Sequence, residues 1–295
     1  MKRHPVLLGI IIVGILLVAF FITIFVITSN KGNTILVMGD KVAVININGI
    51  IKDSTTFIDQ LIKFKKDKSV KAIVLRIDSP GGAVGPTQEI YEEVKKAKEK
   101  KKVLVSMGSL TASGGYYIAC AADKIIANPG TITGSIGVII EFGNIEELLK
   151  KIGFKSVIIK SGEHKDIMSP FRGMTDQEKI ILSEVVDSVH NQFIEAVAEG
   201  RKLKKEEVAK IADGRIFSGE QAKALGLVDA LGNLQDAISM AANMSGIKGE
   251  PNVVYPPKDR LSILDFLSQQ MVTDFINYLE NKSCQLNYLF APNKL

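Results

Sequence analysis

Side chains that build metal sites and disulfide frameworks are scarce in this sequence. Two cysteines, Cys120 and Cys284, are far apart in its 295 residues and match neither a disulfide framework nor a metal-binding motif. The three histidines, His4, His164 and His190, are widely scattered. The sequence therefore predicts no metal site and no cofactor. It predicts a buried, free thiol for Cys120, which lies among small helix residues.

A recognisable nucleic-acid-binding module is also missing, although the chain is basic. The net charge is +5 at pH 7, with a pI near 9.0. Much of the excess lies in three lysine-rich runs, each attached to an amphipathic helical pattern: Lys63 to Lys71, Lys95 to Lys102 and Arg201 to Lys210. Such a run is usually a solvated helix face, and it can also approach anionic lipid headgroups. The sequence therefore predicts no nucleic-acid partner.

Charged residues are absent from Val6 to Thr28, an apolar run near the N-terminus. About 20 apolar residues form a helix that spans the ~30 Å hydrocarbon core of a membrane. Lys2 and Arg3 precede the run, so the positive-inside rule keeps the N-terminus in the cytoplasm. The alternative is a cleaved signal peptide, whose apolar core is normally shorter and ends at a small-residue site. We therefore predict a single-pass anchor in the cell membrane within residues 1–30, followed by an extracytoplasmic domain.

After this anchor, short apolar strands alternate with amphipathic helices. Predicted strands at Lys41 to Ile51, Ala72 to Asp78 and Val103 to Met107 are separated by helices with short connections. This order predicts an α/β fold with a mainly parallel sheet and crossover helices. Two further strands are predicted at 138–142 and 156–160.

Prolines predict where the globular region ends. Three of them, between positions 251 and 257, follow the helical stretch Leu234 to Met244. We therefore predict a globular extracytoplasmic domain at 31–250 and a C-terminal tail at 251–295. The tail contains an amphipathic pattern from Ile263 to Leu279 that can form a helix and dock on a partner or on the membrane surface.

Ser113 follows a predicted buried strand that Gly108 and Ser109 should end, and it precedes a predicted helix of small residues. Its hydroxyl is therefore expected beside a helix N-terminus, where free N–H groups can receive negative charge from a substrate oxygen. The alternative is an ordinary N-cap, for which serine is favoured. Thr111 stands where the nucleophile elbow of α/β-hydrolases has its first glycine, so that motif does not match.

A second turn, Ser79 to Gly82, follows the strand that ends at Asp78. Its two glycines let the backbone approach a ligand closely and present an N–H group without a side chain in the way. Ligands of parallel sheets bind beyond the carboxyl ends of the strands. The Ser79 to Gly82 turn and the Ser113 turn are therefore expected to face one cleft.

The base that would activate Ser113 is left open by the residues themselves. Histidine is the usual partner of a catalytic serine, but His190 lies in mid-helix and His164 in a loop. Lysine can serve instead when burial or nearby cationic groups leave its amine neutral. Lys165 lies in the same loop as His164.

Several motifs together resemble one family of proteases. They are DSPGG from Asp78, GSLTASGGYYIACAADKIIANPGTITGSIGVI from Gly108, SGEHKDIMSP from Ser161 and ADGRIFSGEQAKALGLVD from Ala212. Their order and spacing resemble the single-repeat, membrane-anchored signal peptide peptidase A family of serine proteases, over residues 40 to 235. The resemblance implies a Clp-protease/crotonase-like α/β fold.

The resemblance also implies the residues of a catalytic site. It makes Ser113 the nucleophile and Lys165, 52 residues later, the general base. It makes Gly82 and Gly114 the donors of an oxyanion hole, and it makes Ser135 the residue that orients the lysine amine. Family substrates are remnant signal peptides and other unfolded chains, which are hydrolysed near the membrane through an acyl-enzyme.

Family members with two tandem repeats place the lysine in one repeat and the serine in the other. This chain has one repeat, so the resemblance implies that Ser113 and Lys165 meet across a subunit interface in a homo-oligomeric ring. Two alternative functions remain open. One is crotonase-like acyl-thioester chemistry, which uses a similar oxyanion architecture, and the other is a noncatalytic membrane scaffold.

Overall fold

A computed structural model of the chain describes residues 14–20, 39–257 and 287–289. Residues 14–20 are helical and exposed. Within the described ranges, no helix is both long enough and apolar enough to cross a membrane. The predicted anchor at 1–30 lies mostly outside these ranges, as does the helix predicted from 263 to 279, so both stay predictions.

The region from residue 40 onward alternates strands and helices. Its strands are β1 (Lys41–Asn48), β2 (Val70–Ser79), β3 (Gly81–Ala83), β4 (Lys102–Ala112), β5 (Lys124–Ala127), β6 (Ile132–Gly134), β7 (Ile216–Ser218), β8 (Ala230–Leu231), β9 (Asn252–Val254) and β10 (Asn287–Leu289). Its helices are α1 (Thr55–Lys66), α2 (Val84–Lys98), α3 (Gly114–Ala119), α4 (Glu146–Lys151), α5 (Asp176–Arg201), α6 (Lys205–Ala209), α7 (Gly219–Ala224) and α8 (Leu234–Met244).

The strands form a large sheet in the order β7-β6-β4-β2-β1-β9, with β5 pairing β4 and β8. Every pairing in this sheet is parallel except the one between β6 and β7. Crossover helices connect the parallel strands, as the alternating pattern requires. The mainly parallel α/β fold predicted from the sequence is therefore confirmed. Strand β9 extends the sheet past residue 250, the predicted end of the globular domain.

Side chains of the central strands alternate between two buried faces. On β1, Val42 and Val44 belong to a core that includes α8, whereas Ala43 and Ile45 belong to a core formed with α1, α2, α3 and α5. Strands buried on both faces read as continuous apolar runs, which is the pattern seen from 42 to 45. Burying each valine or isoleucine contributes roughly 1.5–3 kcal/mol relative to leaving it exposed, so the sheet is held from both sides.

Strand β4 does not end at Gly108 and Ser109, as the sequence predicts, but continues to Ala112. The first half of the strand pairs with β5 and the last three residues pair with β6. Thr111 adds two cross-links, because its hydroxyl donates to the carbonyl of Ile77 and its own carbonyl accepts from the Thr133 hydroxyl, each at 2.7 Å. This second set of partners carries the strand up to Ser113.

The strands predicted at 138–142 and 156–160 are wrong, because neither range forms a strand. All five residues of 156–160 are exposed, and the apolar side chains of Val157 and Ile159 are 86% and 97% exposed. An apolar run becomes a strand only where a neighbouring strand can accept its backbone hydrogen bonds. Within the described residues, Ile139 makes only an isolated β-bridge, and neither run joins the sheet as a strand.

Candidate active site

Ser113 lies at the turn from β4 to α3, in a strained backbone conformation. Its φ of 52° and ψ of −119° fall in a region that residues with a side chain seldom adopt. The residue is only 1% exposed, and its Oγ is buried without a hydrogen-bond partner. A strained backbone together with an unpartnered hydroxyl at one residue is typical of a functional position.

The backbone of Ser113 is held on both sides. Its N–H donates to the carbonyl of Gly134, and its carbonyl accepts from the N–H of Tyr117, each at 2.9 Å. The Ser113 N–H is therefore used within the protein and is not free to bind a substrate oxygen. The next N–H, that of Gly114, is in the first turn of α3, where N–H groups have no partner inside the helix.

The Ser79 to Gly82 turn is fixed by a serine hydroxyl. Ser79 Oγ donates to the carbonyl of Gly49 at 2.6 Å and accepts from the N–H of Gly81 at 3.1 Å. Beyond it, β3 contacts α3, so the structure brings Gly82 and the Ser113 turn together. The two turns therefore border a common region, as the parallel sheet predicts.

Gly82 is a glycine for a steric reason as well. A Cβ atom at this position would lie 2.0 Å from the carbonyl oxygen of Ile51, which is far inside contact distance. Ile51 donates to the carbonyl of Gly81 and accepts from the N–H of Ala83. Because successive residues of a strand direct their N–H and C=O groups to opposite sides, those of Gly82 face away from Ile51.

Ser135 lies close to Ser113, because the residue before it, Gly134, binds the Ser113 backbone. The carbonyl of Gly134 holds the N–H of Ser113, and Ser135 follows directly, with a φ of 50° and 7% exposure. Its own N–H donates to the carbonyl of Arg215 at 2.8 Å. The structure thus places Ser113, Gly114, Gly82 and Ser135 in one region.

Lys165 is not part of this group in the single chain. Ser113 Oγ has no hydrogen-bond partner, so neither Lys165 nor a histidine reaches it. Lys165 is exposed and lies in a turn in which its N–H donates to the carbonyl of Gly162 at 3.2 Å. His164 and His190 each have one buried ring nitrogen without a partner. The predicted nucleophile and base therefore make no hydrogen bond to each other in the single chain.

Four charged residues spaced six apart, which the sequence analysis did not identify, hold the loop around Lys165. Arg172 donates from Nε and Nη2 to the two carboxylate oxygens of Asp166, both at 2.8 Å. It also donates to both carboxylate oxygens of Glu178, at 2.8 and 2.5 Å. Lys160 donates to Asp166 at 2.6 Å. Asp166, the residue after Lys165, is thus tied to the start of α5.

These bonds favour the ionised carboxylates. Hydrogen bonds from Arg172, and then from Lys160, hold the pKa of Asp166 well below its ordinary value. The Arg172 guanidinium, followed by the N–H of Thr175, lowers the pKa of Glu178 to about 2. Glu178 also completes a capping box with Thr175 at the N-terminus of α5. The only sequence signal for the network is its alternating charge, whose six-residue spacing does not match the 3.6-residue period of a helix.

Cys120 is a buried structural residue, as the sequence predicts. It is fully buried at the end of α3, and burial raises the pKa of its thiol to about 12. Because the thiolate is the reactive form of cysteine, a thiol in this state is inert. Cys120 therefore contributes packing rather than chemistry.

The segment that carries Lys165, residues 138–175, exposes many large apolar side chains. They are Ile139, Phe142, Ile145, Leu148, Ile152, Phe154, Val157, Ile158, Ile159 and Phe171. Single exposed apolar residues are common on proteins, but a run of this density marks a surface that another molecule covers.

Comparison with known proteins gives two family matches. The sequence matches the description Peptidase family S49 over residues 95–248 and the description Clp protease over residues 29–131. A protein of Synechocystis sp. that is assigned as a protease is 46% identical over 222 residues, which is 74% of this chain and 80% of that protein. A protein of Methanocaldococcus jannaschii with the same assignment is 35% identical over 86% of this chain and 87% of that protein.

Two further likenesses agree with these matches. A protein of Enterococcus faecium that is assigned as signal peptide peptidase SppA is 38% identical over 67% of this chain and 62% of that protein. Among solved structures, a mutant of a membrane-bound stomatin-specific protease has a TM-score of 0.50 at 16% identity, over 75% of this chain and 99% of that chain. That structural likeness concerns the fold alone.

Proposed function

This chain belongs to peptidase family S49 and is a serine protease, and we propose that it is an endopeptidase with Ser113 as nucleophile and Lys165 as general base. The observation that carries the proposal is the state of Ser113. Its hydroxyl is buried, unpartnered and held by a strained backbone beside the first N–H groups of α3. The serine is thus positioned before any base reaches it.

The proposed reaction is peptide hydrolysis through an acyl-enzyme. Neutral Lys165 takes the proton of Ser113 Oγ as the oxygen attacks the peptide carbonyl. The N–H groups of Gly82 and Gly114 stabilise the oxyanion, and the lysinium then protonates the departing amine. A water molecule, deprotonated by the same lysine, hydrolyses the ester and restores Ser113. Ser135, next to the residue that holds the Ser113 backbone, hydrogen-bonds the lysine amine and orients it.

The proposal requires a second copy of the chain. Lys165 is exposed and makes no hydrogen bond to Ser113 in the single chain, and its segment exposes the apolar side chains described above. A lysine amine acts as a base only when it is neutral, and burial in an interface favours the neutral form. In a closed homo-oligomeric ring, one copy would cover the 138–175 segment of its neighbour, and the Lys165 of one copy would meet the Ser113 of the other.

The proposed substrates are remnant signal peptides and other unfolded chains near the membrane. The predicted anchor at 1–30 would hold the enzyme at the membrane, on its extracytoplasmic side. Because family membership makes the chain a protease, it argues against the acyl-thioester enzyme and the noncatalytic scaffold as alternatives.

The test is cleavage of a synthetic signal peptide by the full-length protein in detergent. We expect Ser113→Ala and Lys165→Ala each to lower kcat/KM by about 10²–10⁴-fold or more. The control variants Ser109→Ala and Lys155→Ala, which alter exposed residues of the same types, should retain full activity. Mixing the two inactive variants under conditions of proven subunit exchange should restore cleavage. Activity in folded Lys165→Ala would refute the dyad, and mixing without rescue would place the dyad within one chain.

A further inference from the structure

Lysines lie at the amino ends of four neighbouring strands of the large sheet. The parallel pairings place the starts of β1, β2, β4 and β5 at one edge, here called the lysine edge. Each of these strands has a lysine as its first or second residue: Lys41, Lys71, Lys102 and Lys124. Gly82 and Ser113 follow the opposite ends of β2 and β4. The lysine edge therefore lies across the sheet from the candidate active site.

The two lysine-rich runs 63–71 and 95–102 meet at this edge. Run 63–71 leads from α1 into β2, and run 95–102 leads from α2 into β4. Lys101 Nζ joins them, because it donates to the carbonyl oxygens of Phe64 and Asp67 at 2.6 and 2.5 Å. The two runs contain eleven lysines but only two acidic residues. Folding therefore combines two basic segments into one strongly basic surface.

Stabilisation of helix ends explains only part of this surface. Cations in the last turn of a helix interact favourably with its dipole, and α1 and α2 each have three lysines there. The other five lysines of the runs follow the helices. Within the described residues, four exposed lysines of the runs form no ion pair: Lys63, Lys66, Lys68 and Lys100. Their charges are therefore available to an anionic partner.

The kind of cation indicates the kind of partner. The two runs contain no arginine. Arginine binds a single phosphate through two parallel hydrogen bonds, whereas the lysine ammonium is a strongly hydrated point charge on a flexible chain. A surface made of lysines alone suits a diffuse layer of negative charge better than one specifically bound phosphate group. Anionic lipid headgroups form such a layer.

We propose that the lysine edge binds the anionic lipid headgroups of the membrane in which the predicted anchor lies. Strand β1 begins at this edge with Lys41, so the part of the chain that contains the predicted anchor joins the domain here. Lysines close to an anionic membrane surface each add to its attraction. The anchor would hold the protein at the membrane, and the lysine edge would decide which face of the domain turns toward the lipid.

This orientation places the cleft away from the lipid. Strand β4 has eleven residues, and a parallel strand rises about 3.3 Å per residue. Ser113 follows the far end of β4, so it would lie roughly 30 Å from the headgroups that bind the lysine edge. Peptides that reach Ser113 would have to extend out of the bilayer. The lipid contact itself does not depend on the catalytic role of Ser113 or Lys165.

Energy transfer to acceptor-labelled lipids tests the contact in the full-length protein. A donor dye is attached at Glu99→Cys on the lysine edge, or at Ser109→Cys near the far end of β4, in a chain carrying Cys284→Ala. Cys120 is buried and stays unlabelled. The protein is reconstituted into vesicles of phosphatidylcholine, with or without phosphatidylglycerol. At about 0.1 M salt, phosphatidylglycerol should raise the transfer from position 99 at least twofold and leave position 109 nearly unchanged, and about 1 M salt should remove the increase.

Replacing lysines shows whether the charges of this edge cause the increase. The test variant replaces three unpaired lysines of the runs: Lys66→Gln, Lys68→Gln and Lys100→Gln. The control variant removes the same charge from exposed lysines outside both runs: Lys52→Gln, Lys155→Gln and Lys223→Gln. With the dye at position 99, we expect the test variant to lose most of the increase and the control variant to keep it.

Three results would overturn the inference. Equal transfer with and without phosphatidylglycerol would mean that the lysines face solvent or another partner. Equal transfer from positions 99 and 109 would mean that the domain turns no preferred face toward the lipid. An equal loss in the two lysine variants would make the net charge of the protein, rather than this edge, the cause. A protein that cleaves no peptide but gives the expected transfer would refute the proposed function and leave the lipid contact standing.

Discussion

The regions around Ser113 and Lys165 differ in almost every physical respect, although the two residues are only 52 positions apart in the sequence. Ser113 is buried between a strand with partners along both halves and a helix that is buried throughout. Lys165 lies in an exposed turn whose order comes from the ion network of Arg172. One chain completes the surroundings of the serine but leaves those of the lysine open.

The two regions are held in place by different interactions. Near Ser113, position is set by packing and by backbone hydrogen bonds, which act inside a single chain. Near Lys165, charges fix the shape of the loop, but exposed apolar side chains leave it without a covering surface. If Ser113 and Lys165 act as proposed, folding of one chain is sufficient to position the nucleophile, whereas the base requires assembly with a second copy.

The largest expected effect is a fall in kcat, and it shows which residue is the general base. His164 and Lys165 are neighbours in the exposed loop, and His164 has a buried, unpartnered Nδ1. We expect Lys165→Ala to lower kcat by about 10²–10⁴-fold, the usual contribution of a general base, and His164→Ala to lower it less than threefold. Steady-state cleavage of one peptide by both variants measures the two kcat values and distinguishes the two residues as bases. The reverse order of effects would make His164 the general base and would refute the role proposed for Lys165.

A charge placed among the exposed apolar side chains of the 138–175 segment should have the next largest effect on activity. Ile159→Asp places a carboxylate at a residue that is 97% exposed in the single chain, so the fold should lose less than about 0.5 kcal/mol. If this face is covered by a second copy, the buried charge prevents assembly and activity should fall by at least 100-fold. Sedimentation velocity gives the mass and circular dichroism gives the fold. Leu225→Asp, an apolar-to-acid change outside the 138–175 segment, is the control. Full activity with intact assembly in Ile159→Asp would remove this face from the interface.

Loss of the ion network should have a smaller effect on the rate. Asp166→Asn removes the carboxylate that Arg172 and Lys160 share, so the turn with Lys165 loses its link to α5. We expect kcat to fall about tenfold, which corresponds to 1.4 kcal/mol of the activation barrier, with KM nearly unchanged. Asp176→Asn, which breaks the exposed pair with Lys179, should change neither. A change confined to KM would mean that the network shapes substrate binding instead.

Backbone strain at Ser113 predicts a difference in stability between two variants. Ser113→Ala keeps a side chain at a φ of 52°, whereas Ser113→Gly removes the steric conflict. Relief of about 1–3 kcal/mol of strain, less the larger entropy loss of glycine on folding, should leave Ser113→Gly more stable than Ser113→Ala by about 1 kcal/mol. Urea unfolding of the two inactive variants measures this difference. Equal stabilities would mean that the backbone at Ser113 carries no strain.

The smallest expected effect is the response of the network to pH. The pKa values of Asp166 and Glu178 are lowered in the folded protein, so the stabilisation that they provide is fully present above their ordinary values of 3.8 and 4.5. It is lost only as the pH falls through the lowered values, about 2 for Glu178. The difference in Tm between the wild type and Asp166→Asn should therefore stay constant from pH 5 to 9 and shrink in strong acid. A difference that changes between pH 6 and 8 would point to another titrating group.

Local patterns in the sequence were sufficient to predict the scaffold. Helix α8 has the bounds Leu234–Met244 that the sequence predicts. The turn at Ser113 is also where the sequence places it, because a buried strand followed by small helix residues is a local signal.

Features that depend on distant partners were not predictable in the same way. The extension of β4 past Gly108 depends on β6, which lies some twenty residues further along the chain. The runs at 138–142 and 156–160 have the composition of strands, but composition does not supply a neighbouring strand. The Arg172 network joins a loop to a helix start, and no periodic pattern indicates it.

All six residues of α3 are buried, which restricts how this enzyme can diverge in evolution. The Tyr116 hydroxyl donates to the carbonyl of Leu227 at 2.9 Å, and the Tyr117 ring packs on Tyr91 and Phe193. A mutation behind the nucleophile therefore alters the core before it alters the choice of peptide. New specificities are expected to arise at the rim of the cleft and in the 138–175 segment, where substitutions leave the serine in place.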